Sequence, residues 1–308
     1  MKFILPFSPP PFSLFLFPLL LAGLTACAPA DQTTGEATPA APAATAERIV
    51  SLSGTLTELL ADLGFAEQLV GVDVTSTYPA SINAVPKLGH ISKLNVEALL
   101  ELRPTLIFVD EEQAETPALK TIAAAGVEIV PVPSQPTLDN AAHAATTLGK
   151  HLDISAEKLA DYRGNIEKDT EALAATLAQT SGAKPRVLFI YARGAKQLMV
   201  AGADTEAAAM IKLAGGENAI ASFADFKPLT PEALVEAAPD VILMFESGLK
   251  SLDGKAGLAN VPGIGQTPAF KNGRIVAMDG HYLLSFGPRA AQAANDLAQA
   301  LFQPVQTK

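Results

Sequence analysis

Residues 97–108 read EALLELRPTLIF, and residues 232–243 read EALVEAAPDVIL. The two stretches lie 232 − 97 = 135 positions apart and agree at the Glu, Ala, Leu, Glu, Pro and Ile positions without a gap. Each copy carries apolar residues at helical spacing, then a proline that stops the helix, then a short apolar run suited to a buried strand. A unit that recurs in this way calls for two similar α/β lobes. Working outward, the same alternation of helix and strand fills both flanks. RIVSLS (48–53), QLVGVD (68–73), TLIFVD (105–110) and VEIVPV (127–132) read as strands, separated by helices over TLTELLADLG (55–64), NVEALLELRP (95–104) and ETPALKTIAAAG (115–126). After Pro185 the strands are RVLFIY (186–191), VILMFE (241–246) and RIVAMD (274–279), with a closing helix over residues 288–302. Strands alternating with helices imply parallel sheets with helices packed on them.

Residues 154–180 lie between the lobes with apolar residues at helical spacing, broken only weakly by Gly164. As one helix they would run about 40 Å, long enough to follow one side of a two-lobed molecule. The expected fold is therefore α/β: two Rossmann-like lobes, 47–153 and 181–308, joined by a single long helix over 154–180. A cleft between two such lobes is a ligand site by default. A single stiff connection allows small rocking rather than wide closure.

The first 46 residues read differently. Residues 1–26 hold one charge, Lys2, and an apolar stretch in which Pro6, Pro9, Pro10, Pro11 and Pro18 oppose a membrane-spanning helix, as suits a secretory signal. The stretch ends in Leu24-Thr25-Ala26-Cys27, which resembles the bacterial lipoprotein box, and Cys27 is the chain's 1 cysteine. Lipidation of Cys27 would place the protein outside the cytoplasm on a membrane anchor. Residues 27–46 are Ala, Pro and Thr with scattered acids, the composition of a flexible tether.

Composition excludes several classes. Lys and Arg number 22 against 32 Asp and Glu, a net charge of −10, which disfavours nucleic acid as a partner. One cysteine rules out an internal disulfide framework and a multi-cysteine zinc site. No Walker A loop, G-x-G-x-x-G, H-E-x-x-H or G-x-S-x-G occurs, and no nucleophile stands beside a recognisable base. Among the four histidines, His143 and His151 read as surface residues, and His90 and His281 as candidates for the cleft rim. The sequence does not read as an enzyme.

The most distinctive local feature is Asp73-Val74-Thr75-Ser76-Thr77-Tyr78-Pro79, which follows the strand QLVGVD and so sits at a carboxyl end, where open α/β sheets bind ligands. Tyr78 is one of 4 tyrosines, and Pro79 restricts the backbone beside it. By spacing alone a packing role and a binding role both remain open.

Residues 48–302 resemble the heme-binding periplasmic proteins of ABC heme importers, within the superfamily that also carries cobalamin and siderophores. The matching segments are Thr75-Ser76-Thr77-Tyr78-Pro79, Pro86-Lys87-Leu88-Gly89, Asn95-Val96-Glu97, Val200-Ala201-Gly202, residues 213–218, residues 227–234 and Phe286-Gly287-Pro288-Arg289. Only the tyrosine loop speaks for heme; the A-G-G-x-N and E-A-L segments are shared by the wider group. The resemblance implies that Tyr78 ligates ferric heme iron, carried as cargo and not as a catalytic cofactor. Phenolate is a hard anionic oxygen donor suited to Fe(III), and a phenol that ordinarily ionises near ~10 must lose its proton on binding the metal, helped by a nearby cation. Arg193 is then a candidate partner for a propionate or the phenolate, and Lys227 for a propionate; a solvated loop position is the plain alternative for each. Glu97 and Glu232 would dock arginines of the ABC permease, while as N-terminal helix carboxylates they also favour the macrodipole. The function implied is an extracytoplasmic lipoprotein that captures heme between two lobes and delivers it to the importer. Capture of cobalamin or a ferric siderophore on the same fold is the alternative, with an extracytoplasmic enzyme or a structural surface module less favoured.

Overall fold

The computed structural model describes residues 47–303. Its strands are β1 (Ile49–Ser51), β2 (Leu69–Val72), β3 (Leu106–Asp110), β4 (Glu128–Val132), β5 (Arg186–Ala192), β6 (Leu198–Ala201), β7 (Glu217–Asn218), β8 (Phe226–Pro228), β9 (Val241–Phe245) and β10 (Ile275–Met278). The helices of the first half are α1 (Gly54–Asp62), α2 (Val96–Glu101), α3 (Pro117–Ala124) and α4 (Asn140–Gly149), followed by the long α5 (Ala156–Ala178). The second half carries α6 (Glu206–Leu213), α7 (Pro231–Ala237), α8 (Glu246–Ser251), α9 (Gly254–Leu258), α10 (Pro268–Lys271), α11 (Gly280–Leu284) and α12 (Ala290–Phe302).

The first lobe is a parallel sheet in the order β2-β1-β3-β4. Ile107, Phe108 and Val109 of β3 are all fully buried, as expected of a strand covered on both faces. Alternate residues sort onto opposite faces. Ile49 and Phe108 pack with Leu56, Leu59 and Leu60 of α1, and Val50, Ile107 and Val109 pack with Leu99 of α2 and with Leu119 and Ile122 of α3.

The second lobe repeats this plan, with parallel β10-β9-β5 and β7 also parallel to β5. It departs from an all-parallel reading at one edge, where β6 runs antiparallel to β5 and β8 antiparallel to β6. The cause is the connection: Arg193 N donates to Gln197 O (3.0 Å) and Gln197 N to Gly194 O (3.2 Å), with Gly194 at φ 71. A turn that tight can only join antiparallel neighbours. The internal repeat extends to the backbone. Arg103 and Ala238, again 135 apart, both adopt positive φ (48 and 39) just before the prolines that end α2 and α7.

Between the sheets runs α5, a single helix of 23 residues capped by the Ser155 side chain on Lys158 N (3.2 Å). It packs along α12, where Thr176 Oγ1 donates to Asn295 Oδ1 (2.6 Å) and Gln292 Nε2 to Asp169 Oδ2 (2.9 Å). On the first lobe its Ile166 packs with Ala141 and Ala142 of α4. Helix α4 escapes a reading of the sequence because alanine and threonine dominate it, leaving few large apolar residues to mark a period. Among the described residues no helix is long and apolar enough to cross a membrane. The signal, the tether and Cys27 lie outside the described residues.

Candidate functional site

The loop after β2 is held by buried polar groups that satisfy one another. Asp73, 3% exposed, accepts from Thr75 Oγ1 through Oδ2 and from Ser76 Oγ through Oδ1, both at 2.7 Å. Ser76 Oγ lies 2.7 Å from Thr57 Oγ1 of α1, which donates to Ser51 Oγ of β1 at 2.8 Å. Gly54 N, at the start of α1, donates to Thr75 Oγ1 (3.0 Å), and Lys87 Nζ donates to Ser76 O (2.5 Å). Burial lowers the Lys87 amine below its usual value, opposed by the nearby charge of Asp73. Leaving Ser51, Thr57, Asp73 or Ser76, all buried, unpaired would cost ~1–3 kcal/mol, so the loop has one favoured arrangement. It presents Tyr78 outward, 41% exposed, ahead of Pro79.

The second lobe meets this tyrosine through Arg289, at the foot of α12. Its guanidinium carbon lies 3.7 Å from the centre of the Tyr78 ring and 4.9 Å from that of Tyr282. The fork of the same guanidinium grips Glu58 of α1, Nε to Oε1 at 2.5 Å and Nη2 to Oε2 at 2.9 Å. His281 Nε2 lies 3.0 Å from Glu58 Oε2, and the Glu58 side chain is 1% exposed. Burial pushes the Glu58 carboxyl up, but the hydrogen bonds and charges of Arg289 and His281 outweigh it and hold it below the ordinary carboxylate value. For Arg289, burial works against the charge and Glu58 more than restores it. Burial, then the hydrogen bond to Asp296, raises the Tyr282 phenol. Two neutral contacts reinforce the lobe boundary: Thr55 Oγ1 donates to Ser285 O (2.9 Å), and Asn140 Nδ2 to Phe286 O (3.1 Å).

Beside these contacts lies a cavity of about 260 Å³ lined by Thr55, Asp110, Glu112, Ser134, Glu206 and Ser285, among others. Burial pushes Asp110 up to about 6, against a hydrogen bond from Ser53 and aided by the charges of Asp73 and Glu112.

The remaining candidates fall elsewhere. Arg193 is exposed and faces Tyr191 of its own lobe, 5.6 Å from the ring centre, so the cation on the Tyr78 phenol is Arg289 and not Arg193. Lys227, exposed on β8, lies 4.4 Å from the Phe223 ring centre. Neither is brought to Tyr78. His281 sits inside the lobe contact rather than on its rim, because Glu58 draws it in. His90 is exposed and bonds Ser92 Oγ, and His143 and His151 are exposed, the latter against Glu128 at 2.9 Å. Glu97 and Glu232 are both exposed, each in the first turn of its helix after a side-chain cap: Asn95 accepts from Ala98 N (3.1 Å) and Thr230 from Ala233 N (3.2 Å). Glu58 and Arg289 escape a reading of local spacing; the one signal for Arg289 is its place in Phe286-Gly287-Pro288-Arg289.

An exposed phenol thus stands against a fixed cation where the two lobes meet, an arrangement that offers an oxygen donor. Residues 49–282 match the model of the family described as periplasmic binding protein. The chain belongs to that family. Its members are binding proteins, and the family places this chain outside the cytoplasm.

Among solved structures the chain is similar to the periplasmic heme-binding protein RhuT of Roseiflexus sp. RS-1 in its apo form, with 38% identity and a TM-score of 0.79 over 84% of this chain and 98% of that one. Among curated proteins it is 26% identical over 260 residues to the uncharacterized ABC transporter substrate-binding lipoprotein YvrC of Bacillus subtilis, covering 83% of this chain and 80% of that protein. It is also 26% identical over 264 residues to the cobalamin-binding protein of Halobacterium salinarum, covering 82% and 69% respectively.

Proposed function

We propose that this member of the periplasmic binding protein family captures heme between its lobes, with Tyr78 on the ferric iron, and delivers it to an ABC importer. The observation that carries the reading is the exposed Tyr78 phenol under the Arg289 guanidinium, 3.7 Å from ring centre to carbon, on a loop fixed by buried hydrogen bonds. Ferric iron favours a hard anionic oxygen, which a tyrosine phenolate supplies. The similarity to RhuT supports the same cargo.

In this reading Cys27 carries the lipid anchor and residues 1–26 are removed. Arg193 and Lys227, both exposed, are free to meet propionates. Glu97 and Glu232, exposed at equivalent places in the repeat, contact the permease. The Halobacterium relative favours cobalamin as a second reading, in which Tyr78 is a wall of the cleft.

Titration of the purified chain with hemin, followed by absorbance, tests the assignment. Saturation with a ferric phenolate spectrum, lost in Tyr78→Ala, is expected. Equal, unsaturable uptake by both proteins would refute heme and turn the test to cobalamin and ferric siderophores.

A further inference from the structure

We infer that Lys87 is a positioning residue for Tyr78: its ammonium ties together the chain before and after the tyrosine and so fixes where the phenol stands. The inference rests on the proposed role of Tyr78. Lys87 is itself held by backbone. Val72 N donates to Pro86 O (3.0 Å), Leu88 N to Val72 O (2.8 Å) and Val74 N to Gly89 O (3.1 Å), so the stretch 86–89 lies parallel beside the end of β2. From that fixed base Lys87 Nζ donates to Ser76 O at 2.5 Å and reaches Ile82 O at 3.4 Å. Ser76 precedes Tyr78 and Ile82 follows it. Among the described residues, no other side chain bonds to the loop on both sides of Tyr78.

The remaining polar ties stop short of the tyrosine. Asp73, Thr75, Thr57 and Gly54 hold the loop as far as the Ser76 hydroxyl. Beyond Tyr78 the next anchor is Ile82, 1% exposed, in the core cluster that includes Leu56 and Leu59 of α1. Residues 77–81 bridge the two anchors, and Lys87 sets the distance between them. An ammonium suits that task, because it offers three donors and no acceptor, and its bonds to carbonyls are charge-assisted.

Two plainer roles predict different results. Lys87 is exposed, and replacing an exposed side chain ordinarily changes stability little. If it only braced the fold, hemin affinity would fall no further than the loss of folded protein. If it met a propionate by charge, hemin would weaken and its dimethyl ester, which carries no propionate charge, would not. If it positions Tyr78, both ligands weaken alike while the fold keeps its stability.

The test compares the full chain with Lys87→Met, which keeps the length of the side chain and removes the donor. Hemin and hemin dimethyl ester are titrated by absorbance in the same detergent, and urea unfolding is followed on the same preparations. We expect Lys87→Met to unfold at the parent's midpoint, to bind both ligands about tenfold more weakly, and to show an altered ferric phenolate band. Lys87→Cys, made with Cys27→Ser so that one thiol is present, should behave like Lys87→Met. Its alkylation with bromoethylamine, in which the thiolate displaces bromide and restores an ammonium at lysine's length, should recover affinity and spectrum. Unchanged binding in Lys87→Met, a loss matched by lost stability, a loss for hemin but not its ester, or no recovery on aminoethylation would each overturn the inference. Should Lys87→Met fail to fold, Lys87→Cys before and after alkylation decides between the same outcomes. Hydrogen exchange of residues 74–82 in the hemin-free chain, expected to quicken in Lys87→Met, reads the clamp without ligand. If Tyr78→Ala retains the hemin spectrum, the heme reading fails, and the exchange rates still show whether Lys87 holds the loop.

Discussion

Gly54 opens α1 at the point where three parts of the site meet. A methyl group built there would lie 2.8 Å from the backbone oxygen of Thr75 and 2.9 and 3.0 Å from Cε1 and Nδ1 of His281. Neither neighbour is free to retreat. Thr75 is tied to Gly54 N and Asp73, and His281 to Glu58. Overpacking of this kind costs ~1–3 kcal/mol, whereas replacing glycine by alanine in a helix is otherwise worth up to ~1 kcal/mol in the opposite direction. The two effects differ in sign, and the contact distances decide for the first. Gly54→Ala is therefore expected to lose ~1–2 kcal/mol and to melt a few degrees lower, since each kcal/mol shifts a domain of this size by ~2–4 °C. The same displacement passes directly into the loop that carries Tyr78, so the variant should also bind hemin more weakly. The assay is urea unfolding followed by circular dichroism, with hemin titration on the same preparation. A variant as stable as the parent or more so would mean that Thr75 and His281 yield freely. The picture of a loop locked by its buried hydrogen bonds would then fall.

Gly164 supplies the converse case: an added methyl on α5 meets nothing within 4 Å, so Gly164→Ala should gain ~0.5–1 kcal/mol in the same unfolding assay. Asp110 is raised from 3.8 to about 6, so the folded chain holds its proton more tightly than the unfolded one and loses stability as pH rises through that window. Asp110→Asn removes that loss; allowing for solvent in the adjoining cavity, it should gain ~1 kcal/mol at pH 7.5 and little at pH 4.5, read from urea midpoints at both pH values. Asn140, 3% exposed, bonds Phe286 O across the lobes and Gln135 N within its own, so Asn140→Ala should cost ~1–3 kcal/mol in urea unfolding.

The fold was largely legible because its signals are local. Runs such as TLIFVD and VILMFE have too little polar character to be anything but strands covered on both faces, and Gly64 and Gly126 mark helix ends at positive φ (86 and 91). The antiparallel edge was not legible, since LMVA and FKP are too short to announce a direction. In the candidate site, Tyr78 stood out through the resemblance of its loop, but the arginine against its ring did not. Arg289 lies 289 − 78 = 211 residues away, and its one local mark, Phe286-Gly287-Pro288-Arg289, says nothing of Tyr78, whereas Arg193 follows a central strand and draws the eye first. Glu58 was hidden more deeply. Within TLTELLADLG a glutamate is ordinary on the solvent side of an amphipathic helix, and only the second lobe turns that side into an interior.

The repeat sharpens what is unusual about the site. By sheet order, β2-β1-β3-β4 in the first lobe corresponds to β7-β5-β9-β10 in the second, so the tyrosine loop after β2 has its counterpart after β7. That counterpart leads through Phe223 to Lys227 and offers no phenol. The segments after the final strands, β4 and β10, carry Asn140 and Arg289, and Asn140 meets the second of these segments at Phe286. Equivalent places in the two lobes thus differ in chemistry: the phenol after β2 has no counterpart after β7, and where the second lobe has Arg289 after β10 the first has the amide of Asn140 after β4. Glu97 and Glu232, by contrast, remain equivalent, as a partner with two similar faces would require. A scaffold built twice therefore encloses a site built once. Rigid displacement of the second lobe would draw Arg289 from Glu58 and from Tyr78 together, so the ion pair that joins the lobes and the contact on the Tyr78 ring would be lost in one movement.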